Sequence, residues 1–118
     1  MTTIVRPMLE RLSPYDAWRW AVDLFDHRDY HAAAQVLQHL VDTHPREAEL
    51  GEARELLARS YFHAALLGPA VEAARDLLER DPSHAYAALL LARALERSSR
   101  HDEATAVRRL SEVLGVTA

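Results

Sequence analysis

The sequence has no cysteine and no lysine, and all 14 of its basic residues are arginine. Without cysteine there is no disulfide framework, no thiolate metal site and no thiol chemistry. Only three glycines and five prolines occur among 118 residues, which leaves little room for long loops. The net charge of −4 argues against a nucleic-acid partner, because general nucleic-acid binders carry a basic stripe. The length suits one domain with a modest core.

Long apolar runs are also missing. The longest uninterrupted run, residues 85–92, has eight residues, whereas a membrane-spanning helix needs about 20. The first residues contain neither the apolar stretch nor the small-residue cleavage site of a signal peptide. We therefore expect a cytoplasmic protein without a membrane partner.

Alanine recurs at a regular interval along the chain. Ala58 lies 37 residues after Ala21, and Ala92 lies 34 residues after Ala58. A second series follows twelve residues later with the same two steps, at Ala33, Ala70 and Ala104. A period in the mid-thirties is typical of stacked helical hairpins. Because a small residue lets two antiparallel helices cross closely, the pattern predicts an all-α protein.

Capping signals and apolar spacing predict the positions of the helices. Ser13 is suited to cap a helix that begins at Pro14, with Asp16 completing a capping box. We predict three hairpins, with helices at 14–27 and 30–43, at 47–64 and 69–80, and at 84–98 and 102–114. The longer second unit implies three extra residues, which we place at 48–50. Gly115 suits the position after the last helical turn.

The N-terminal segment, residues 1–13, carries an apolar stripe at helical spacing. The stripe consists of Ile4, Val5, Met8, Leu9 and Leu12. A short helix at about 7–12 is predicted there. Residues 14–118 are predicted to form a single domain with repeats at about 14–46, 47–83 and 84–115.

The three units share further residues in the same register. The first has Trp20, Ala21, Leu24, Asp29, Tyr30, Ala33, Leu37 and Pro45; the second has Leu57, Ala58, Tyr61, Ala70 and Pro82; the third has Leu91, Ala92, Leu95 and a turn from Arg100 to Ala104. This pattern resembles the tetratricopeptide repeat (TPR) over residues 14–114. The resemblance implies a right-handed α-solenoid of three antiparallel helical hairpins that acts as a protein-interaction module.

The chain departs from the family pattern in its second turn and its last helix. Ala65 replaces the glycine of the second turn, and Arg108 replaces an apolar residue of the last helix. No repeat follows that helix, so its outer face should be polar. We expect Leu110 and Leu114 to pack inward and Val107 or Val113 to stay partly exposed.

In this family the first helix of each hairpin lines a concave groove that contacts the partner. The resemblance therefore predicts eleven partner-binding residues, namely Tyr15, Trp18, Val22, Phe25, Arg59, Phe62, His63, Tyr86, Leu89, Arg93 and Arg97. Tyrosine, tryptophan and arginine are enriched in binding hot spots. Arg59 and Arg93 hold equivalent places one repeat apart, where each is suited to bind a carboxylate bidentately. The hypothesis is that the groove binds an extended or helical peptide with an apolar anchor and acidic residues.

Two alternatives to this hypothesis stay open. In the first, Trp18 and Phe25 sit under the N-terminal segment, and Arg59 pairs with Glu55 one turn earlier on its own helix. In the second, the N-terminal stripe and the solenoid ends form a homodimer, so that the protein is a self-assembling scaffold. The chaperone-tail variant of the family is excluded, because the positions that match its lysine and asparagine clamp hold Trp18, Val22, Leu56, Tyr86 and Leu90.

Motifs for catalysis or metal binding are missing from the sequence. It has no Gly-x-Ser-x-Gly elbow, no phosphate-binding glycine loop and no His-Glu-x-x-His. His27 and His31 are four residues apart, but the predicted turn breaks their common face and no third ligand is clear. We therefore expect no enzyme activity, no catalytic residues, no metal site and no cofactor.

Overall fold

A computed structural model describes residues 6–46 and 50–115, and every regular element within these ranges is an α-helix. The helices are α1 (Arg6–Glu10), α2 (Pro14–Asp26), α3 (Tyr30–Thr43), α4 (Leu50–His63), α5 (Leu67–Arg80), α6 (Ala85–Arg97) and α7 (His101–Val113). From α2 onward each helix packs on the next, and α4 also contacts α6. Packing between neighbours in sequence is typical of a solenoid, so the predicted all-α solenoid of helical hairpins with a short N-terminal helix is confirmed.

The six alanines of the two repeat series lie at the crossings of these helices. All are buried, and five of them have no exposed surface. Ala58 packs with Leu77, Ala87 and Leu90, where α4, α5 and α6 meet. A methyl group is the largest side chain that such a closely packed position accepts without moving the helix axes apart.

A side-chain cap marks the start of α2, whereas the proline near the start of α5 does not mark where that helix begins. The Oγ of Ser13 accepts a hydrogen bond from the Asp16 N–H at 3.1 Å, as a helix cap requires. Helix α5 begins at Leu67, two residues before the predicted start. Pro69 is tolerated there because an N–H in the first turn has no helical acceptor. The predicted start of α4 at 47 and the placement of residues 48 and 49 lie outside the described residues.

Each hairpin turn contains one residue in the left-handed conformation. These residues are Arg28, Ala65 and Ser99, with φ of 61°, 60° and 61°, and they recur with the same steps as the alanines. The residue that follows each donates its N–H to a carbonyl five positions earlier, as in Asp29 to Leu24 at 2.8 Å. This hydrogen bond belongs to the Schellman motif, which ends many helices.

Replacing Ala65 by glycine should stabilise the protein. A Cβ in the left-handed conformation costs roughly 1–2 kcal/mol, which outweighs the extra freedom of glycine in the unfolded chain. We expect Ala65→Gly to raise the free energy of unfolding by about 0.5–1 kcal/mol in urea denaturation. As a control, Ala106→Gly on the exposed face of α7 should lower it by a similar amount. A loss of stability in Ala65→Gly would contradict the assigned turn.

The described part of the N-terminal segment lies against the first hairpin. Leu9 is buried, and it borders a shallow cavity together with Ala34 and Gln35 of α3. Met8 is 46% exposed, so only one side of α1 is covered. The helix ends at Glu10, earlier than predicted. The stripe residues Ile4 and Val5 lie outside the described residues.

The last helix exposes more apolar surface than its sequence predicts. Leu110 is 38% exposed, so the prediction that it packs inward is wrong, and Leu114 is half-buried. Val113 is 83% exposed. Helix α7 packs mainly on α6, and no described helix follows it to cover the other side. Arg108 turns back toward α6, where its Nε donates to Oε1 of Glu96 at 2.9 Å.

Candidate functional site

Aromatic rings and arginines from four helices form a continuous cluster on one face of the solenoid. We call it the arginine–aromatic cluster, and it comprises Phe25, Tyr30, Arg59, Phe62, His63, Tyr86 and Arg97. Three of its members lie on α4 at helical spacing, which places them on one side of that helix. The others come from α2, α3 and α6. Six of the seven are residues that the TPR resemblance assigns to partner binding.

The imidazole of His63 lies at the centre of the cluster. Its centroid is 4.9 Å from that of the Tyr30 ring, which stacks on it at 29°. The rings of Phe25 and Phe62 approach it edge-on, with centroids at 5.8 and 5.7 Å. Edge-to-face and offset-stacked geometries are those that aromatic pairs prefer. These ring contacts join α2, α3 and α4 at His63.

The two arginines lie over the rings rather than beside carboxylates. The guanidinium carbon of Arg59 is 4.9 Å from the Phe25 centroid and 5.9 Å from that of Tyr86. The corresponding distance from Arg97 to Phe62 is 4.9 Å. All three distances lie within the range of cation–π interactions. The Nε of Arg59 is buried and has no hydrogen-bond partner among the described residues.

The ion pair between Glu55 and Arg59, which belongs to the first alternative interpretation, is not formed. Neither Arg59 nor Arg97 comes within ion-pair distance of a carboxylate in the described ranges. The Phe25 ring provides Arg59 with a cation–π contact from another helix. Both guanidinium groups therefore lack an ion-pair partner among the described residues.

The surroundings of His63 favour its neutral form. Partial burial lowers the pKa of its imidazole, and the charges of Arg59 and Arg97 lower it further. Both effects disfavour a third cation on the same surface. The neutral ring offers one nitrogen as a donor and one as an acceptor.

The other predicted binding residues lie away from these ring contacts. Trp18 and Val22 are half-buried and pack against the core of the first hairpin. Tyr15 is 65% exposed, and Arg19 lies over its ring at 5.9 Å. Arg93 is exposed and makes no ring contact or ion pair with a described residue. Arg59 and Arg93 therefore differ in environment despite their equivalent repeat positions.

Leu89 was predicted to bind a partner, but the structure places it in the interior and not on the binding surface. Its side chain is 6% exposed and belongs to the interior, where a partner has almost no access to it. Helix α6 packs on α4, α5 and α7, and eight of its 13 residues are buried. This three-sided contact covers a position that the family pattern assigns to the groove.

Tyr30 joins the cluster although the TPR resemblance does not place it among the binding residues. It is the first residue of α3, directly after the capping Asp29. The available signal was its place in the Asp-Tyr turn of the first unit. The turn brings its ring to His63, which is 33 residues further along the chain.

Apart from the arginine–aromatic cluster, the structure has a polar depression of about 440 Å³ between α3, α4 and α5. The buried Arg54 donates to Oδ2 of Asp76 at 3.2 Å and to the Pro45 carbonyl at 3.4 Å. The hydroxyl of Tyr61 donates to Oε1 of Gln38 at 2.9 Å. These polar groups are satisfied by one another, which indicates a structural role in joining the first two hairpins.

Within the described ranges, no three histidine, aspartate or glutamate side chains come close enough together to hold a metal ion. The Nδ1 of His27 instead hydrogen-bonds the Asp23 carbonyl at 2.8 Å. None of the described helices has the length and apolar character needed to cross a membrane.

No family model and no curated protein matches the sequence. The structure is similar to that of a MamA point mutant, with a TM-score of 0.78 and 16% identity over 88% of this chain and 74% of that one. It is also similar to a MamA RS-1 ArsTM double mutant, with a TM-score of 0.76 and 22% identity over 92% of this chain and 57% of that one. A third similar structure is TTC0263, a thermophilic TPR protein in Thermus thermophilus, with a TM-score of 0.67 and 23% identity over 87% of this chain and 57% of that one.

These similarities establish the fold. The chain has a TPR-like helical fold. The predicted resemblance to the TPR is confirmed at this level. The chain spans 74% of the first similar structure and little more than half of the other two.

Proposed function

We propose that this chain is a non-catalytic, cytoplasmic protein-interaction module that binds a peptide or partner protein along the face of α2, α4 and α6. The observation that carries the proposal is the arginine–aromatic cluster, which joins these helices and whose two arginines form no ion pair with a described carboxylate. We take residues 14–118 as a single binding domain of three repeats, at about 14–46, 47–83 and 84–115.

The cluster has the chemistry of a binding hot spot. Phe25, Phe62 and Tyr86 are half-buried, so each ring is held by the fold and still offers surface to a partner. Arginine and aromatic side chains combine apolar area with a polar group, which is why they are enriched in hot spots. Because the rings and guanidinium groups already hold one another, binding costs less side-chain entropy. We assign apolar anchoring to these rings with Trp18, and selection of acidic groups to Arg59, Arg93 and Arg97.

A self-assembling scaffold is the second candidate function. Apolar side chains are exposed on the first and last of the described helices, Met8 on α1 and Val113 on α7. Such surfaces are suited to contact a second copy. Light scattering over a concentration series tests this candidate, and a monomer at every concentration would remove it.

The proposed function predicts that a partner captured from the source cell's lysate is lost when the face is altered. The test variant is Trp18→Ala/Arg59→Glu, which removes an anchor and reverses a charge. Arg109→Glu is the control for charge, because Arg109 is exposed on α7 and the substitution changes the net charge equally. Circular dichroism should show that all three proteins are folded at the temperature of capture, because truncation of Trp18, which packs against the core, is expected to lower the melting temperature. We expect capture by the parent and the control and roughly a tenfold or greater loss with the double variant.

Two outcomes would contradict this proposal. Equal capture by the double variant would move the site to another surface of the solenoid. No capture by the parent would favour the self-assembling scaffold.

A further inference from the structure

Each of the two arginines contacts a phenyl ring that also contacts His63, and the charges of both act on the imidazole. Arg59 lies over Phe25, Arg97 lies over Phe62, and both rings meet the imidazole edge-on. We call Arg59, His63 and Arg97 the arginine bracket. Tertiary packing assembles it, because Arg97 comes from α6 whereas the other two come from α4.

The bracket is positive within a chain whose net charge is −4. The acidic residue next to Arg97 in sequence, Glu96, is already engaged by Arg108 of α7. Glu55, one turn before Arg59, forms no ion pair with it. The two guanidinium groups therefore keep donors free for an anion from outside, and the rings beneath them hold them in place.

We propose that the arginine bracket binds a carboxylate of an acidic peptide segment, and that His63 takes up a proton from solvent as the segment binds. The proposal rests on the proposed function, and it names the ligand class and the pH regulation of that site. The carboxylate stays ionised throughout. The proton adds to the free imidazole nitrogen and converts His63 into a third cation.

Proton uptake follows from what faces His63 on each side. Arg59 faces it from its own helix, Arg97 from α6, the Tyr30 ring from α3 and the Phe25 ring from α2. In the free protein, partial burial and the two arginines hold the pKa of His63 below its usual range. A bound carboxylate offsets the repulsion from the arginines, so the pKa rises on binding. By linkage, affinity for the acidic segment increases as the pH falls through the titration range of His63.

An acetylated hexaglutamate peptide is a suitable probe, with hexaglutamine as the uncharged comparison. Calorimetric titrations at about pH 6 and pH 8, near 0.15 M salt, keep the probe carboxylates ionised and screen long-range attraction. We expect the parent to bind hexaglutamate roughly threefold to tenfold more tightly at the lower pH, and hexaglutamine at neither pH. Repeating the titrations in buffers with different heats of ionisation should reveal net proton uptake.

Variants show whether the arginine bracket, and not the overall charge of the protein, causes the affinity for hexaglutamate and its pH dependence. His63→Gln should lose most of the pH dependence. His101→Gln should keep it, because His101 is exposed on α7 and the other histidines titrate in both proteins. Arg59→Gln and Arg97→Gln should each weaken binding at least roughly threefold.

Three results would contradict the proposal, one each for the proton coupling, the site and the ligand class. If the ratio of hexaglutamate affinities at the two pH values is unchanged in His63→Gln, the proton coupling is wrong. If the affinity is unchanged in both arginine variants, the arginine bracket is not the site. Failure of hexaglutamate to bind the parent at either pH would overturn the acidic ligand class. In that case, a lysate partner lost with Trp18→Ala/Arg59→Glu would leave the proposed function standing.

Discussion

Leu95→Ala is expected to lower the free energy of unfolding by about 2–5 kcal/mol. The Leu95 side chain is completely buried between α5, α6 and α7, in a cluster that includes Val71, Leu91 and Ala104. Truncation removes its apolar contacts and leaves a cavity. Several lining residues are alanines, which have no rotamers with which to fill that cavity, so the site should relax little.

Urea denaturation followed by circular dichroism measures this loss. The control is Leu110→Ala, the same substitution on α7 at a side chain that is 38% exposed. We expect the control to cost less than about 1 kcal/mol. Equal losses in the two variants would show that the interior between α6 and α7 is wrongly assigned.

Ala58→Leu is expected to lower the free energy of unfolding by about 1–3 kcal/mol through overpacking. Ala58 is fully buried where α4 meets Leu77 of α5 and Leu90 of α6. The three added carbons have no space there, so either the axes separate or neighbouring side chains leave their preferred rotamers.

Ala106→Leu provides the matched control, because it adds the same volume at an exposed position of α7. Its effect should stay within about 0.5 kcal/mol of the parent. A thermal melt of Ala58→Leu that coincides with that of the parent would contradict close packing at Ala58, and with it the register of the repeat.

The fold could be predicted from the sequence because the signals that specify it are local and recur in each repeat. The alanine steps of 37 and 34 residues recur in the turn residues Arg28, Ala65 and Ser99, since one hairpin geometry is used three times. Helix ends were less accurate, as the early start of α5 at Leu67 shows. There the proline signal was ambiguous, because a helix accepts proline anywhere in its first turn.

The candidate site could be predicted from the sequence only in part. The family pattern selected Phe25, Arg59 and Phe62 as members of one face, and the structure brings them together. It did not indicate that Leu89 is buried or that Tyr30 joins the cluster. Position within a repeat specifies a side of a helix, whereas burial depends on how many other helices cover that side.

The sequence by itself determined the helical period, the small residues at the crossings and the arginine and aromatic composition of one face. Only the tertiary structure decided the contacts on that face. Glu55 is four residues from Arg59 and Phe25 is 34, yet the guanidinium group rests on the Phe25 ring. An exposed ion pair between helical neighbours is worth only a few tenths of a kcal/mol, so packing between helices was able to override it. Packing between helices therefore explains why Arg59 forms no ion pair with Glu55. The separation of two residues in the sequence does not predict such a contact.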